Sequence, residues 1–212
     1  MKYGYARVST EDQTPPFTGR LPVDAEGNKV TVVNMILKID DAFIREWHPR
    51  YDLTEDDEPT YQMLVDTVAQ AKREISKETF LAIWNWKGAM RVIRHVKIGE
   101  YDTLYAVAFR HAVTEPPERK LAALLALPGI DAPTGSTIIH FIHPETMPII
   151  DVRTVEVLFE AGLIPTTHRD LKHYEAFRKA IANISRDCPG WTLRQIDRAL
   201  FAYHKHKKRQ DT

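Results

Sequence analysis

The sequence predicts a mostly α fold. Three observations carry that expectation: apolar residues at three- and four-residue spacing from Tyr61 onward, Ser and Thr placed ahead of apolar runs, and Pro–Gly punctuation between the runs. Leu64, Val68, Ala71 and Ile75 set the first helical stripe. Ser76 stands where it can cap the stretch "KETFLAIWNWKGAMRVIRHV", although Gly88 inside it weakens one unbroken helix. Pro116 and Pro117 open another helix, which should end at Pro128 and Gly129. Short helices follow Pro133 and Asp151. Thr192 is placed to cap "LRQIDRALFAY", where Leu193, Ile196, Leu200 and Tyr203 fall on one face.

The chain before residue 60 reads differently. Residues 3–8 alternate weakly and suit a short extended segment. "TPPFTGRLPVDAEGNK", residues 14–29, holds three prolines and two glycines and reads as loop, so residues 14–60 are expected to be linker and N-terminal extension. "VTVVNMIL" from Val30 suits a strand or a helix start. At the other end, residues 206–212 read as a basic tail. "HKHKKR" is expected to be disordered, or to touch DNA without regard to sequence.

Composition excludes several classes. Of 212 residues, 43% are hydrophobic, enough for a core, and 27% are charged. Lys plus Arg and Asp plus Glu both total 29, so any surface for a polyanion must be local. The single cysteine, Cys188, rules out a disulfide framework, a four-cysteine zinc site and a protein-ligated iron–sulfur cluster. No apolar run approaches the ~20 residues of a membrane span. The first residues carry no apolar signal core, so a cytoplasmic protein is expected.

The stretch that carries chemistry runs from Lys120 to Gly162, "KLAALLALPGIDAPTGSTIIHFIHPETMPIIDVRTVEVLFEAG". An apolar helix runs into Leu127, Pro128, Gly129 and Ile130. The glycine permits a tight turn at positive φ, and Pro133 suits the first turn of the next helix. Two helices joined by such a hairpin can present backbone N–H groups to a phosphate.

This segment resembles the helix-hairpin-helix, or endonuclease III-like, DNA glycosylase superfamily, whose hairpin reads Leu-Pro-Gly-Val-Gly-x-x-Thr-Ala. Here Leu127, Pro128, Gly129, Ile130, Asp131, Ala132, Pro133, Thr134 and Gly135 stand in those places. "PTGSTII" is also similar to a bacterial branch whose second helix reads "PTASAIL". The family continues with Val-Asp-Thr at the next helix start, and "MPIIDV" supplies Asp151, 22 residues after Gly129. The resemblance spans about residues 61–205 and is strongest over 120–162. It implies two helical lobes with a cleft, double-stranded DNA as partner, a monomer, a place on the nucleoid, and Asp151 as the catalytic carboxylate. That carboxylate would stabilise the positive sugar as an N-glycosidic bond breaks and orient water. A helix cap is the plain structural alternative for Asp151, and the two roles are compatible. Leu127, Pro128, Gly129, Ile130 and Thr134 would contact DNA.

The chain departs from the family in three places. Asp131 replaces the second hairpin glycine and sets an anion near the expected phosphate, which leaves room for a monovalent cation there. Pro133 occupies the place of the lysine that bifunctional members use as a nucleophile, so hydrolysis alone, with intact abasic DNA as product, is expected. The cysteines for an iron–sulfur cluster are absent, and no cofactor is expected.

In the Ser76 helix, Ile83, Trp86, Met90 and Ile93 share one face, read as core. Trp84, Lys87, Arg91 and Arg94 share a neighbouring face. Lys87, Arg91 and Arg94 are candidate DNA contacts, Trp84 and Trp86 candidate walls of a base pocket, and a solvated face is the competing reading. His140 and His143 lack the carboxylates of a metal site, and no metal is expected.

The first residues, "MKYGYARVSTEDQ", resemble the start of a serine recombinase over residues 2–13, with Arg7 and Ser9 in the places of an arginine and the nucleophile. The further arginines that such phosphoryl transfer needs are missing, and the pattern stops at Thr14-Pro15-Pro16. Residues 1–13 therefore read as a stub. Three functions follow in order: a monofunctional DNA base glycosylase in base excision or modified-base removal, a non-catalytic helix-hairpin-helix module binding DNA or a partner, and a recombinase fragment.

Overall fold

A computed structural model describes residues 37–51, 58–88 and 90–210. The stub with Arg7 and Ser9, the 14–29 loop and nearly all of "VTVVNMIL" lie outside those residues. The described chain is mostly helical, with no strand among the described residues. Its α-helices are α1 (Asp41–Trp47), α2 (Glu58–Gln70), α3 (Lys77–Trp86), α4 (Ala106–Thr114), α5 (Pro117–Leu125), α6 (Ala132–Ile142), α7 (Val152–Glu160), α8 (Leu171–Asp187) and α9 (Leu193–Gln210). None of the described helices is long and apolar enough to cross a membrane.

Capping chemistry sets most helix starts. The Ser76 hydroxyl accepts the Thr79 N–H at 3.1 Å. Thr192 and Gln195 cap α9 reciprocally: the Gln195 side-chain oxygen accepts the Thr192 N–H at 2.9 Å, and the Thr192 hydroxyl accepts the Gln195 N–H at 3.2 Å. In α2, Leu64 and Val68 are buried as their spacing predicts. Ala71 lies past the helix end and is exposed.

The structure corrects three expectations. The long helix after Ser76 breaks. α3 ends at Trp86, Lys87 caps it, and Gly88 turns left-handed at φ +70°. The chain resumes as a 3₁₀ segment, Met90–His95. The residues expected to share helix faces across Gly88 therefore do not. Second, the basic tail is not loose, because α9 continues through it to Gln210. Its turns are held by His204 on Glu156 and Lys207 on Glu160, each at 2.6 Å. Third, the linker and N-terminal extension expected over residues 14–60 contains a packed helix near its end. Phe43, Ile44 and Trp47 of α1 are buried, and α1 packs against α9.

α5 and α6 form the helical hairpin. Gly135 lets them close up: a Cβ there would stand 2.8 Å from Leu121 Cδ1. A π-helical turn, Tyr101–Tyr105, precedes α4 and stacks the two tyrosine rings. Tyr105 then buttresses the hairpin. Its hydroxyl donates to the Pro128 carbonyl at 2.7 Å and accepts the Lys97 N–H at 2.9 Å. α9 runs against both α1 and α7, which sets its polar face toward the start of α7.

Candidate active site

At the end of "MPIIDV" the chain is extended, and Asp151 caps α7. Its Oδ1 accepts the N–H groups of Arg153 at 2.7 Å and Thr154 at 3.0 Å. Thr154 closes a capping box by accepting the Asp151 N–H at 3.3 Å. Among the described residues the cap engages Oδ1 and leaves Oδ2 for a ligand. Asp151 thus has a fixed position with one carboxylate oxygen to spare.

That carboxylate lines a cleft of about 550 Å³. The end of α3 contributes Asn85, Trp86 and Lys87. α9 contributes Arg194, Asp197 and Phe201, with Tyr51, Thr60, Ile149 and Arg153 completing the wall. The cleft therefore combines two carboxylates, three cations and three aromatic rings. Its volume falls within the usual range of ligand pockets.

The charges are ordered by stacking and pairing. The Arg194 guanidinium lies over Tyr61 at 5.1 Å and Trp86 at 5.3 Å, and it donates to Asp197 Oδ2 at 2.7 Å. Arg198 lies 4.8 Å from the Tyr51 ring and 3.2 Å from Glu58. Arg153 covers the Phe201 ring at 4.4 Å. The rings are thus held by cations that also shape the cleft.

Burial pushes the Asp197 carboxyl up to about 6; Arg194 pulls it back and the Asp151 charge adds to the rise. At neutral pH it is mostly ionised and ready to take a proton. Burial holds the Lys87 amine below the usual ammonium range, with Asp151, Asp197 and Asp131 opposing the effect and Arg194 adding to it. Among the described residues, Lys87 makes no ion pair within 4 Å.

The predicted site residues divide. Asp151, Lys87 and Trp86 meet in the cleft. Trp84 does not: it is 1% exposed, packed on Phe80 in the core, so it is corrected from pocket wall to core residue. The reason is the orientation of α3: Trp84 falls one turn after Phe80 on the face that packs into the core. Arg94 is exposed and donates to its neighbour His95, while Arg91 falls in the same 3₁₀ segment and its side chain lies outside the described residues.

The hairpin is built as read, with one qualification. Gly129 is exposed at φ +79°, and a Cβ there would stand 2.8 Å from the His95 carbonyl carbon and oxygen. The hairpin and the segment bearing Arg94 are therefore neighbours. Leu127, Ile130 and Thr134 are buried, so their side chains support the turn and cannot touch a ligand directly. Pro128 is half-buried, with its carbonyl engaged by Tyr105. Asp131 caps α6 by accepting the Thr134 N–H at 2.9 Å. The chain's own carboxylate thus sits on the helix end where a phosphate was expected.

His140 and His143 are structural. The buried His140 accepts the Tyr61 hydroxyl at Nε2 (2.7 Å) and donates from Nδ1 to the Met147 carbonyl (2.8 Å). His143 Nδ1 accepts from Arg73. No group of metal-ligating side chains forms among the described residues.

Sequence reasoning missed Asp197, Arg194, Tyr51, Phe201 and Arg153. A signal existed for three of them: Arg194, Asp197 and Phe201 recur at three and seven residues on α9, beside its apolar stripe. Tyr51 carried none, because only the tertiary fold brings it to the cleft. No family model, curated protein or solved structure matches this chain.

Proposed function

We propose that this chain is a DNA base glycosylase of the helix-hairpin-helix type, a monomer that acts on duplex DNA in base excision or modified-base removal. A nucleotide turned out of the helix enters the cleft between two helical lobes. Its base lies against Trp86, Tyr51 and Phe201, and its sugar lies beside Asp151. The carboxylate stabilises the positive charge that grows on the sugar as the N-glycosidic bond lengthens. Gly129 at the hairpin tip and the neighbouring Arg94 face the DNA backbone.

One observation carries this reading: the aspartate that caps α7 also lines a cleft of about 550 Å³. A cap on a closed surface would favour a binding module without catalysis. Asp131 is what favours that second reading, since its carboxylate occupies the α6 N-terminus and weakens phosphate capture there. The test is an excision screen: duplexes holding single damaged or modified bases are incubated with the protein, and free base is measured by mass spectrometry. Release by the wild type and none by Asp151→Asn supports the enzyme. DNA binding without release of any base supports the module.

A further inference from the structure

The expectation of a purely hydrolytic enzyme rests on Pro133, which fills the hairpin position where bifunctional relatives carry a lysine. The fold delivers an amine to the cleft by another route. Lys87 ends α3 just before Gly88 turns the chain away, and it lines the same cleft as Asp151 and Asp197. We propose that Lys87 is the nucleophile of this cleft, attacking C1′ of the deoxyribose, so that the protein opens the DNA strand as well as releasing a base. The proposal rests on the glycosylase reading in one respect, that a nucleotide sugar occupies the cleft.

A second lysine shows why Lys87 is singled out. Lys120 is buried where Lys87 is half-buried, and its amine donates to the carbonyls of Ala112 and Val113 at 2.9 and 2.7 Å, at the end of α4. It is a helix cap with its donors engaged. Lys87 has no such partner among the described residues. Nor is it needed to neutralise Asp197, which already takes a 2.7 Å bond from Arg194. A nucleophilic amine must lose its proton, and the buried wall of the cleft favours the neutral form. Asp197 lines the same cleft and receives that proton through water.

The step balances as follows. The Nζ lone pair bonds to C1′, and the N-glycosidic bond breaks with its electron pair leaving on the base, which is then protonated. An Nζ proton passes through water to Asp197. The C1′–O4′ bond opens with protonation of O4′, giving a C1′=Nζ imine. Loss of a C2′ proton expels the 3′ phosphate by elimination, and water hydrolyses the imine to free Lys87. On DNA that is already abasic, Nζ adds to the C1′ aldehyde and water leaves.

The experiment uses a duplex with one abasic site and sodium borohydride, which reduces the imine to a stable amine. This probe bypasses the unknown base. The expected result is a protein–DNA crosslink whose adducted peptide contains Lys87. Yield should fall at least about tenfold in both Lys87→Gln and Lys87→Arg, and should hold in the exposed-lysine control Lys179→Gln. Circular dichroism confirms that each variant is folded. Lys87→Arg separates a nucleophile from a mere positive charge, since the guanidinium keeps the charge and cannot form the imine. No crosslink from the wild type, or one mapped to another amine, overturns the proposal. If the excision screen releases a base while no crosslink forms, water is the nucleophile and the glycosylase reading stands alone. A Lys87 crosslink without release of any base would instead sink the glycosylase reading and leave Lys87 as an abasic-site lyase nucleophile.

Discussion

Two aspartates 20 residues apart do the same local job in different places. Asp131 caps α6 at the hairpin, and Asp151 caps α7 at the cleft. Each is extended in backbone, and each accepts an N–H from its helix's first turn. Asp131 is exposed, bordering a surface groove with His168, Arg169 and Asp170. Asp151 is half-buried, opposite Lys87, Arg194 and Asp197. Capping chemistry fixes where a helix begins. What the tertiary fold carries to the other side of the carboxylate decides whether it can act on a ligand. The largest expected effect tests this contrast. Asp151→Asn keeps the cap, because Asn caps as well as Asp, and removes the charge. Base release should fall about 10²–10³-fold, roughly 2–4 kcal/mol of transition-state stabilisation, with the melting temperature almost unchanged. Asp131→Asn should release base at nearly the wild-type rate. Equal loss in both variants would break the comparison.

The hairpin's weak point is conformational. Gly129→Ala places a side chain at φ +79° and drives its Cβ into the His95 backbone at 2.8 Å. The chain must shift both the hairpin and the Met90–His95 segment to relieve it. A loss of about 2–3 kcal/mol in urea unfolding is expected. A loss below about half a kcal/mol would mean that the two segments are not held together as described.

Much of this contrast was legible in the sequence, and for a physical reason. The hairpin is local: Leu127 to Thr134 carry their own turn, proline and cap, so neighbouring residues suffice to read it. Asp151 was legible through its distance from Gly129 and its place at a helix start. The cleft is not local. Its wall comes from Tyr51, the end of α3 and the middle of α9, and packing alone brings them together. Trp84 and Trp86 show the limit. They are two residues apart, yet one is core and the other lines the cleft. The choice depended on which side of α3 meets α4 and the π-helical turn, the side that carries Phe80 and Trp84. α1 went unread because its few apolar residues follow a loop-rich stretch, and only α9 makes them a buried face.

α6 carries one buried histidine, His140, and ends at another, His143, and both should make stability depend on pH. Burial holds His140 down at about 4, and His143 is likewise held at about 4, mainly by burial. The unfolded chain protonates each near 6.5, so the folded state binds fewer protons between those values. Their stabilisation is complete above about pH 6.5 and is lost as pH falls toward 4. The expected loss is about 1–2 kcal/mol per histidine between pH 7 and pH 5. Asp197 works the other way. Its raised value means the folded state gains a proton below about 6, which offsets part of the loss. Urea unfolding at the two pH values, on wild type and His140→Gln, isolates the term. The variant should lose less stability on acidification than the wild type. An equal loss would assign the effect elsewhere.

The smallest expected effect lies back at the hairpin. Asp131→Asn removes one negative charge from the α6 N-terminus and keeps a capping side chain, so stability should move by no more than about 0.5 kcal/mol. DNA affinity should respond more clearly. A phosphate approaching Gly129 in the wild type meets the exposed Asp131 carboxylate, with only solvent screening between them. With Asn in its place, the positive end of α6 is no longer neutralised by the chain itself. Affinity for an abasic duplex should rise about two- to fivefold at low salt, and the gain should shrink as salt is added, because the removed repulsion is between exposed charges. The measurement is a titration of labelled duplex at two salt concentrations. Affinity that is unchanged at both would mean that DNA does not approach this hairpin at all. The cleft would then have to be entered from another face, and the contrast between the two aspartates would concern the protein's stability and leave its contact with DNA untouched.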